Sequence, residues 1–162
     1  MKMTLDPRTL RDTLGLFVTG VTIITARSKC GEQVGITANS FNSVSLDPPL
    51  ILWSISKTSR SLPIFETADH FAVHILRDDQ KDLSQRFASS GIDKFDCLRT
   101  EPGLGNTPLL PDCAALLECS IFARYPAGDH MIYVAQVEKL QSDPEARPLV
   151  YHGGRYAALA DQ

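Results

Sequence analysis

Short apolar and β-branched segments, broken by turn residues, recur along the chain and confine it to a mostly β architecture. Val21-Thr22-Ile23-Ile24-Thr25-Ala26 follows Gly20 and reads as a strand. Ser28 to Glu32 is a turn, and Gln33 to Ala38 is the returning strand of a hairpin. After Pro48-Pro49, the apolar run Leu50 to Ser56 predicts a strand buried on both faces. His70 to Leu76 is another strand. Ala114 to Tyr125 and Met131 to Ser142 predict two long strands joined by Pro126-Ala127-Gly128-Asp129, and Arg147 to Tyr151 and Gly154 to Ala158 close the sheet. Many strands at short spacing with few helices favour a closed or nearly closed antiparallel barrel.

The helices are few. Asp6-Pro7 supplies an N-cap and a proline at the first helical position, opening a helix to about Leu16. Ser59 to Thr67 predicts a second helix, with Leu62 and Phe65 inward and Ser59 as its N-cap. Asp78 or Asp79 caps a third, with Leu83, Arg86 and Phe87 sharing a face. Gly91 to Pro111, rich in Gly, Pro and Asp, reads as a long loop, and such loops in compact domains often serve a site. With 162 residues and no internal repeat, the whole span 1–162 is expected to be one domain with a real core.

Composition excludes several classes of function. A net charge of −3 and a pI near 5.8 lack the basic excess of a phosphate-tracking protein, so no nucleic-acid partner is expected. Apolar runs such as Leu50-Ile51-Leu52-Trp53 are too short to span a bilayer, and MKMTLDPRTLRD lacks the apolar stretch of a secretory signal. A cytoplasmic location is the expectation. Cys30, Cys97, Cys113 and Cys119 form no CxxC pair, and the simplest reading is reduced, buried or half-buried thiols. His70 and His74 lie four apart on a strand without a third clustered ligand, so no metal site is expected. GxGxxG, Walker and GxSxG motifs are absent.

Three polar clusters remain. Thr37, Asn39, Ser40, Asn42, Ser43 and Ser45 place six short polar side chains in nine positions. Such side chains let a backbone approach a ligand, but they also suit a turn-rich connection. Ser54, Ser56, Lys57, Thr58, Ser59, Arg60 and Ser61 follow at the end of an apolar strand, as an anion site or as a capped helix with solvated charges. Gly128-Asp129-His130 occupies the turn between the two long strands, where a histidine is either exposed or at a barrel mouth.

In order along the chain, several segments resemble the flavin reductase-like family, the short NAD(P)H:flavin oxidoreductases that serve two-component monooxygenases. They are FVTGVTIIT (17–25), GITANSFNSVSLDPPL (35–50), KTSRS (57–61), FAVHIL (71–76), LSQRFA (83–88), GDH (128–130) and PLVYHGGRY (148–156). The resemblance implies a split β-barrel, a homodimer, and FMN or, in some relatives, FAD near the subunit interface. It also implies NADH or NADPH as co-substrate and a flavin-dependent monooxygenase as partner. It puts Thr37, Ala38, Asn39 and Ser40 along the isoalloxazine and ribityl parts. Ser56, Lys57, Ser59 and Arg60 go toward the phosphate, Ser54 is counted among the cofactor-binding residues, and Arg86 and Phe87 lie near the phosphate or tail. Tyr156 joins the cofactor-binding set, and His130 stands on the nicotinamide side as the catalytic candidate. Position 74 departs from the pattern, being His where relatives often carry Asn. Rival readings are a tightly bound FMN serving a quinone or corrinoid acceptor, and a non-enzymatic flavin- or haem-binding module. Hydride transfer between two cofactors needs no protein nucleophile, which agrees with the missing triads.

Overall fold

The computed structural model describes residues 5–160. Seven strands form one antiparallel sheet: β2 (Thr22–Arg27), β3 (Gln33–Ala38), β4 (Asn42–Leu46), β5 (Pro49–Ser56), β6 (His70–Ile75), β9 (Ala115–Ala127) and β10 (His130–Ser142). Their spatial order is β3-β2-β6-β9-β10-β5-β4. The sheet curls until β3 meets β5, which pack together without hydrogen-bonded pairing, so the barrel is split along this seam. A small sheet of β1 (Thr19–Gly20), β11 (Val150–His152) and β12 (Arg155–Ala157) stands beside it, and β7 (Glu101–Pro102) pairs with β8 (Pro108–Leu109). The helices are α1 (Pro7–Leu14), α2 (Leu62–Thr67) and α3 (Lys81–Ala88). The expected mostly β fold with few short helices is borne out.

Local chemistry explains the element ends. Asp6 caps α1 by accepting from the Thr9 N–H at 2.9 Å, and Pro7 occupies the first turn. The β9–β10 turn is only Gly128-Asp129, two residues shorter than expected, because both strands extend further than the apolar pattern predicts. Gly128 has φ of 57°, which a two-residue hairpin turn requires and glycine supplies without strain.

Four sequence expectations are corrected. β5 is not buried on both faces: Ile51, Trp53 and Ile55 are buried while Leu52, Ser54 and Ser56 are half-buried. The strands buried on both faces are β2 and the middle of β6, because they lie inside the sheet with a core on each side. Residues 42–46 form the edge strand β4, not a turn-rich connection; Asn42, Ser43, Val44 and Leu46 are exposed and Ser45 is half-buried. The helix after β5 starts at Leu62, with Ser61 at its N-cap and no side-chain cap bond, so Ser59 is not its cap. The 91–111 loop also contains β7, β8 and a short 3₁₀ turn.

Alternation on β2 builds two cores. Ile24 and Ala26 join Trp53, Phe65, Phe71 and Tyr133; Ile23 joins Val21, Leu76, Phe87 and Leu149. Trp53 stacks on Tyr133 at 5.1 Å and meets Phe65 and Phe71 edge-on at 4.9 and 5.6 Å.

His74 is fully buried and bridges two elements. Its Nδ1 donates to the Ile23 carbonyl at 3.0 Å, and its Nε2 accepts from the Leu110 N–H at 3.0 Å. This arrangement requires the neutral ring, and burial lowers its pKa from 6.5 to about 4. The unfolded chain therefore binds a proton below about pH 6.5 that the folded chain refuses until about pH 4. We expect His74 to remove about 3 kcal/mol of stability as pH falls from 7 to 4. Denaturant unfolding at stepped pH checks this, and His74→Asn should flatten the fall across that window while lowering stability at pH 7.

Candidate functional site: a cleft along the seam of the split barrel

An open cavity of about 750 Å³ follows the seam between β3 and the C-terminal half of β5. Three walls enclose it: β3 with residues 39 and 40, the segment from Ser54 to Ser61, and α3's end with residues 88–95. His130 stands at its rim. The β5–β10 register puts His130 opposite Ser56, and the Lys57 N–H donates to the Asp129 carbonyl at 2.9 Å. Two clusters some seventy residues apart in sequence are joined by one ladder.

Of the residues named from sequence, Thr37, Ala38, Asn39, Ser40, Ser54, Ser56, Ser59, Arg60, Phe87 and His130 come together on this cavity. Several have their polar groups already committed. The Ser40 hydroxyl accepts from the Ser54 N–H at 3.0 Å and donates to the Ser54 carbonyl at 3.1 Å, tying the end of β3 to β5. Thr37 Oγ1 donates to the Ser84 carbonyl of α3 at 2.5 Å. Ser56 Oγ pairs with Thr58 Oγ1 at 2.9 Å and accepts from the Thr58 N–H, and Ser59 Oγ accepts from the Ser61 N–H. These bonds shape the walls. Arg60, by contrast, is exposed and has no ion pair or hydrogen bond among the described residues. It is the free cation of this segment.

Lys57, Arg86 and Tyr156 are not among the residues that line the cavity. Lys57 Nζ donates to the Gly128 carbonyl at 2.7 Å and braces the β9–β10 turn. Arg86 Nε donates to the Lys94 carbonyl at 2.8 Å, and its Nη2 reaches the Asp93 and Asp96 carbonyls. Tyr156 OH pairs with the buried Ser84 hydroxyl at 2.7 Å and locks α3 to β12. Each side chain is spent on backbone or core, behind a wall of the cavity. The six-residue α2, uncapped by Ser59, also leaves the anion reading on Arg60 and nearby hydroxyls rather than on a helix terminus.

Lys94 and Phe95 line the cavity and were missed. The only signal for them was the length and composition of the 91–111 loop. His130 Nδ1 lies 2.7 Å from Asp129 Oδ1, and this bond holds the Asp129 carboxyl below its ordinary range. Burial raises the thiols of Cys113 and Cys119 to about 11 and about 12, so neither is a thiolate at neutral pH. Cys30 and Cys97 are exposed, contrary to the buried reading. No group of three metal-ligating side chains occurs among the described residues. The arrangement binds and orients; it offers no activated nucleophile.

Residues 14–160 match the flavin reductase like domain, and the chain belongs to that family. It is 43% identical over 157 residues to an FMN reductase (NADH) SmoA of Agrobacterium fabrum, covering 97% of this chain and 88% of the relative. It is 39% identical over 160 residues to an actinorhodin polyketide dimerase of Streptomyces coelicolor, covering 97% and 89%. The Streptomyces globisporus NADH:FAD oxidoreductase SgcE6, solved with NAD and FAD fragments, superposes with a TM-score of 0.90 at 35% identity, covering 97% and 96%. Other relatives are longer: the chain spans 54% of SMa0793 from Sinorhizobium meliloti, whose solved structure has a TM-score of 0.92 at 41% identity and 96% coverage of this chain. The family resemblance carried by the sequence motifs is borne out.

Gly35 makes the cavity's inner wall possible. A Cβ there would stand 2.4 Å from Phe87 Cε1 and 2.5 Å from Cδ1. Gly35→Ala should displace Phe87, lower stability by about 1–3 kcal/mol in denaturant unfolding, and weaken ligand binding in the cleft.

Proposed function

We propose that this protein is an NAD(P)H-dependent flavin reductase that transfers a hydride from a nicotinamide to FMN or FAD and hands reduced flavin to a partner monooxygenase. The observation that carries the reading is the seam cavity. It joins a pre-tied polar floor at Thr37–Ser40 and Ser54 to an unpartnered cation at Arg60. The donor set fits a flavin mononucleotide: short hydroxyls and backbone for a ring and polyol, and a free guanidinium for a phosphate.

A bound flavin would supply the hydride-accepting ring; the residues of this chain supply placement. Thr37, Ala38, Asn39 and Ser40 flank the ring and ribityl chain, and Ser54 fixes that floor through Ser40. Ser56 and Ser59 order the segment that presents Arg60 to the phosphate. Phe87 forms the apolar wall. Arg86, Lys57 and Tyr156 act from behind by holding these walls. His130, at the rim beside Asp129, stands where a nicotinamide would enter. Relatives named as an FMN reductase (NADH) and an NADH:FAD oxidoreductase support both cofactors, and relatives named as reductase subunits of flavin-dependent monooxygenases support the partner. Among the described residues no helix is long and apolar enough to cross a membrane.

A homodimer belongs to the same reading. Helix α1 buries none of its residues, and Leu10, Leu14, Leu16, Phe17 and Val18 stay exposed, Phe17 at 79%. A contiguous apolar surface of this kind calls for a cover, and a second copy supplies one. Light scattering should return twice the chain mass; a monomer at micromolar concentration removes the dimer.

The function is tested by mixing purified protein, NADH or NADPH, and FMN, and following nicotinamide absorbance. We expect flavin-dependent oxidation; its absence with both nicotinamides and with both FMN and FAD overturns the reading. Flavin lost on dialysis supports the diffusible product, and flavin retained supports a bound prosthetic group. Arg60→Ala should weaken FMN by about 1.5 kcal/mol, roughly tenfold, and riboflavin much less, since only FMN carries the phosphate. Equal weakening in a fluorescence titration removes Arg60 from the phosphate.

A further inference from the structure

The segment after α3 is fastened over the cavity by one lysine. Lys94 Nζ donates to the Phe87 carbonyl at 2.7 Å and to the Gly35 carbonyl at 3.0 Å. It thereby ties residues 89–95 to both α3 and β3. Arg86 grips the backbone of the same segment from the other side through the Lys94 carbonyl. An ammonium carries three donors, and two are taken by neutral carbonyls. No carboxylate pairs with Lys94 among the described residues, so its charge and third donor are unspent. The group is half-buried, and desolvation lowers its pKa. Holding an unneutralised cation there is costly unless something compensates it.

Two carboxylates, Glu32 and Asp93, share this part of the lining. Both are exposed, and Asp93 Oδ1 already accepts the Phe95 N–H at 3.0 Å. Neither neutralises Lys94. The position of the charge follows from the strands. The Ser40–Ser54 tie closes one end of the seam. From that tie β3 runs back to Gly35, where Lys94 is anchored, and β5 runs on through Ser56 to Arg60. Lys94 and Arg60 therefore stand on facing walls of the half remote from the tie, each without an acidic partner.

We propose that Lys94 is the second cationic contact for the flavin phosphate, facing Arg60 across the cavity, and so a specificity-determining residue for phosphate-bearing flavins. The inference rests on the flavin reading of the cavity. Two cations from separate walls match a phosphate that carries close to two negative charges and three acceptor oxygens. The same side chain that closes the wall would then also hold the ligand's charged end.

The test titrates FMN and riboflavin against wild-type protein, Lys94→Gln, Lys94→Arg and Arg60→Ala, with circular dichroism confirming each fold. Wild-type protein that binds neither ligand defeats the flavin reading itself, independently of Lys94. Given wild-type binding, Lys94→Gln keeps donors for the two carbonyls and loses the charge. It should weaken FMN at least tenfold and riboflavin less than twofold, and it should flatten the salt dependence of FMN binding. Lys94→Arg should keep the preference for FMN. Equal weakening of both ligands in Lys94→Gln, or unchanged FMN binding, overturns the proposal, because a loosened wall alone would not discriminate the two. Arg60→Ala leaves Lys94 intact and should retain a residual preference for FMN; complete loss of preference in that variant also overturns it. This last arm holds whether or not the Lys94 variants fold.

Discussion

The β5–β10 ladder ties the protein's core to its site. A strand has a side-chain period of two, so the register that turns Ile51, Trp53 and Ile55 inward turns Ser54 and Ser56 outward. Trp53 stacks on Tyr133, its cross-strand partner, and that stack sits among Phe65 and Phe71 in the larger core. A slip of one residue would expose the indole and bury the serines, so the aromatic core enforces the register. The same register sets His130 opposite Ser56 and Lys57 against the Gly128-Asp129 turn. Site geometry is thus a consequence of hydrophobic packing on the opposite face of one strand.

The second core does the corresponding work for the other wall. Phe87 is buried between α3 and β3, and the missing side chain at Gly35 lets it lie there. Helix α3 is held from outside by Tyr156 through Ser84 and from inside by Thr37. With Arg86 gripping the following segment, the third wall is fixed before any ligand arrives. Such preorganisation moves the ordering cost from binding to folding. The committed hydroxyls of Thr37, Ser40 and Ser56 fit this picture, since a wall whose polar groups are already satisfied holds its shape.

Much of this was legible in the sequence, and the failures are physical. β2, β3, β6, β9 and β10 were readable because β-branched and apolar runs have a period that no helix shares. β4 was not: its polar residues Asn42, Ser43 and Ser45 sit on an edge strand, and composition alone cannot tell that from a loop. β5 looked doubly buried because Leu50 and Leu52 are apolar, although they lie only half-buried near the sheet's end. The cavity residues from Thr37 to Arg60 were found because the motif order carried them. The motif order also carried Arg86 and Tyr156, whose side chains bond to the Lys94 carbonyl and the Ser84 hydroxyl; a motif marks that a residue matters without saying whether it touches a ligand or a wall. Lys94 escaped because its role depends on two carbonyls, at Gly35 and Phe87, that only the fold brings to one point.

The electrostatics of the chain follow the same division between total and local. The protein is net negative, yet the two cations that line the cavity, Arg60 and Lys94, have no acidic partner among the described residues; elsewhere Lys29, Arg77, Arg99 and Arg147 are paired with carboxylates, and Arg27 and Arg124 bond to carbonyls. An exposed ion pair contributes little to stability, and its cation is no longer free to attract an anion. Leaving Arg60 unpaired therefore sacrifices little and keeps a charge available. Burying Lys94 without a carboxylate sacrifices more, because desolvation works against its charged form. The buried thiols of Cys113 and Cys119 show the same penalty on the charged form, with burial raising both out of the thiolate range at neutral pH.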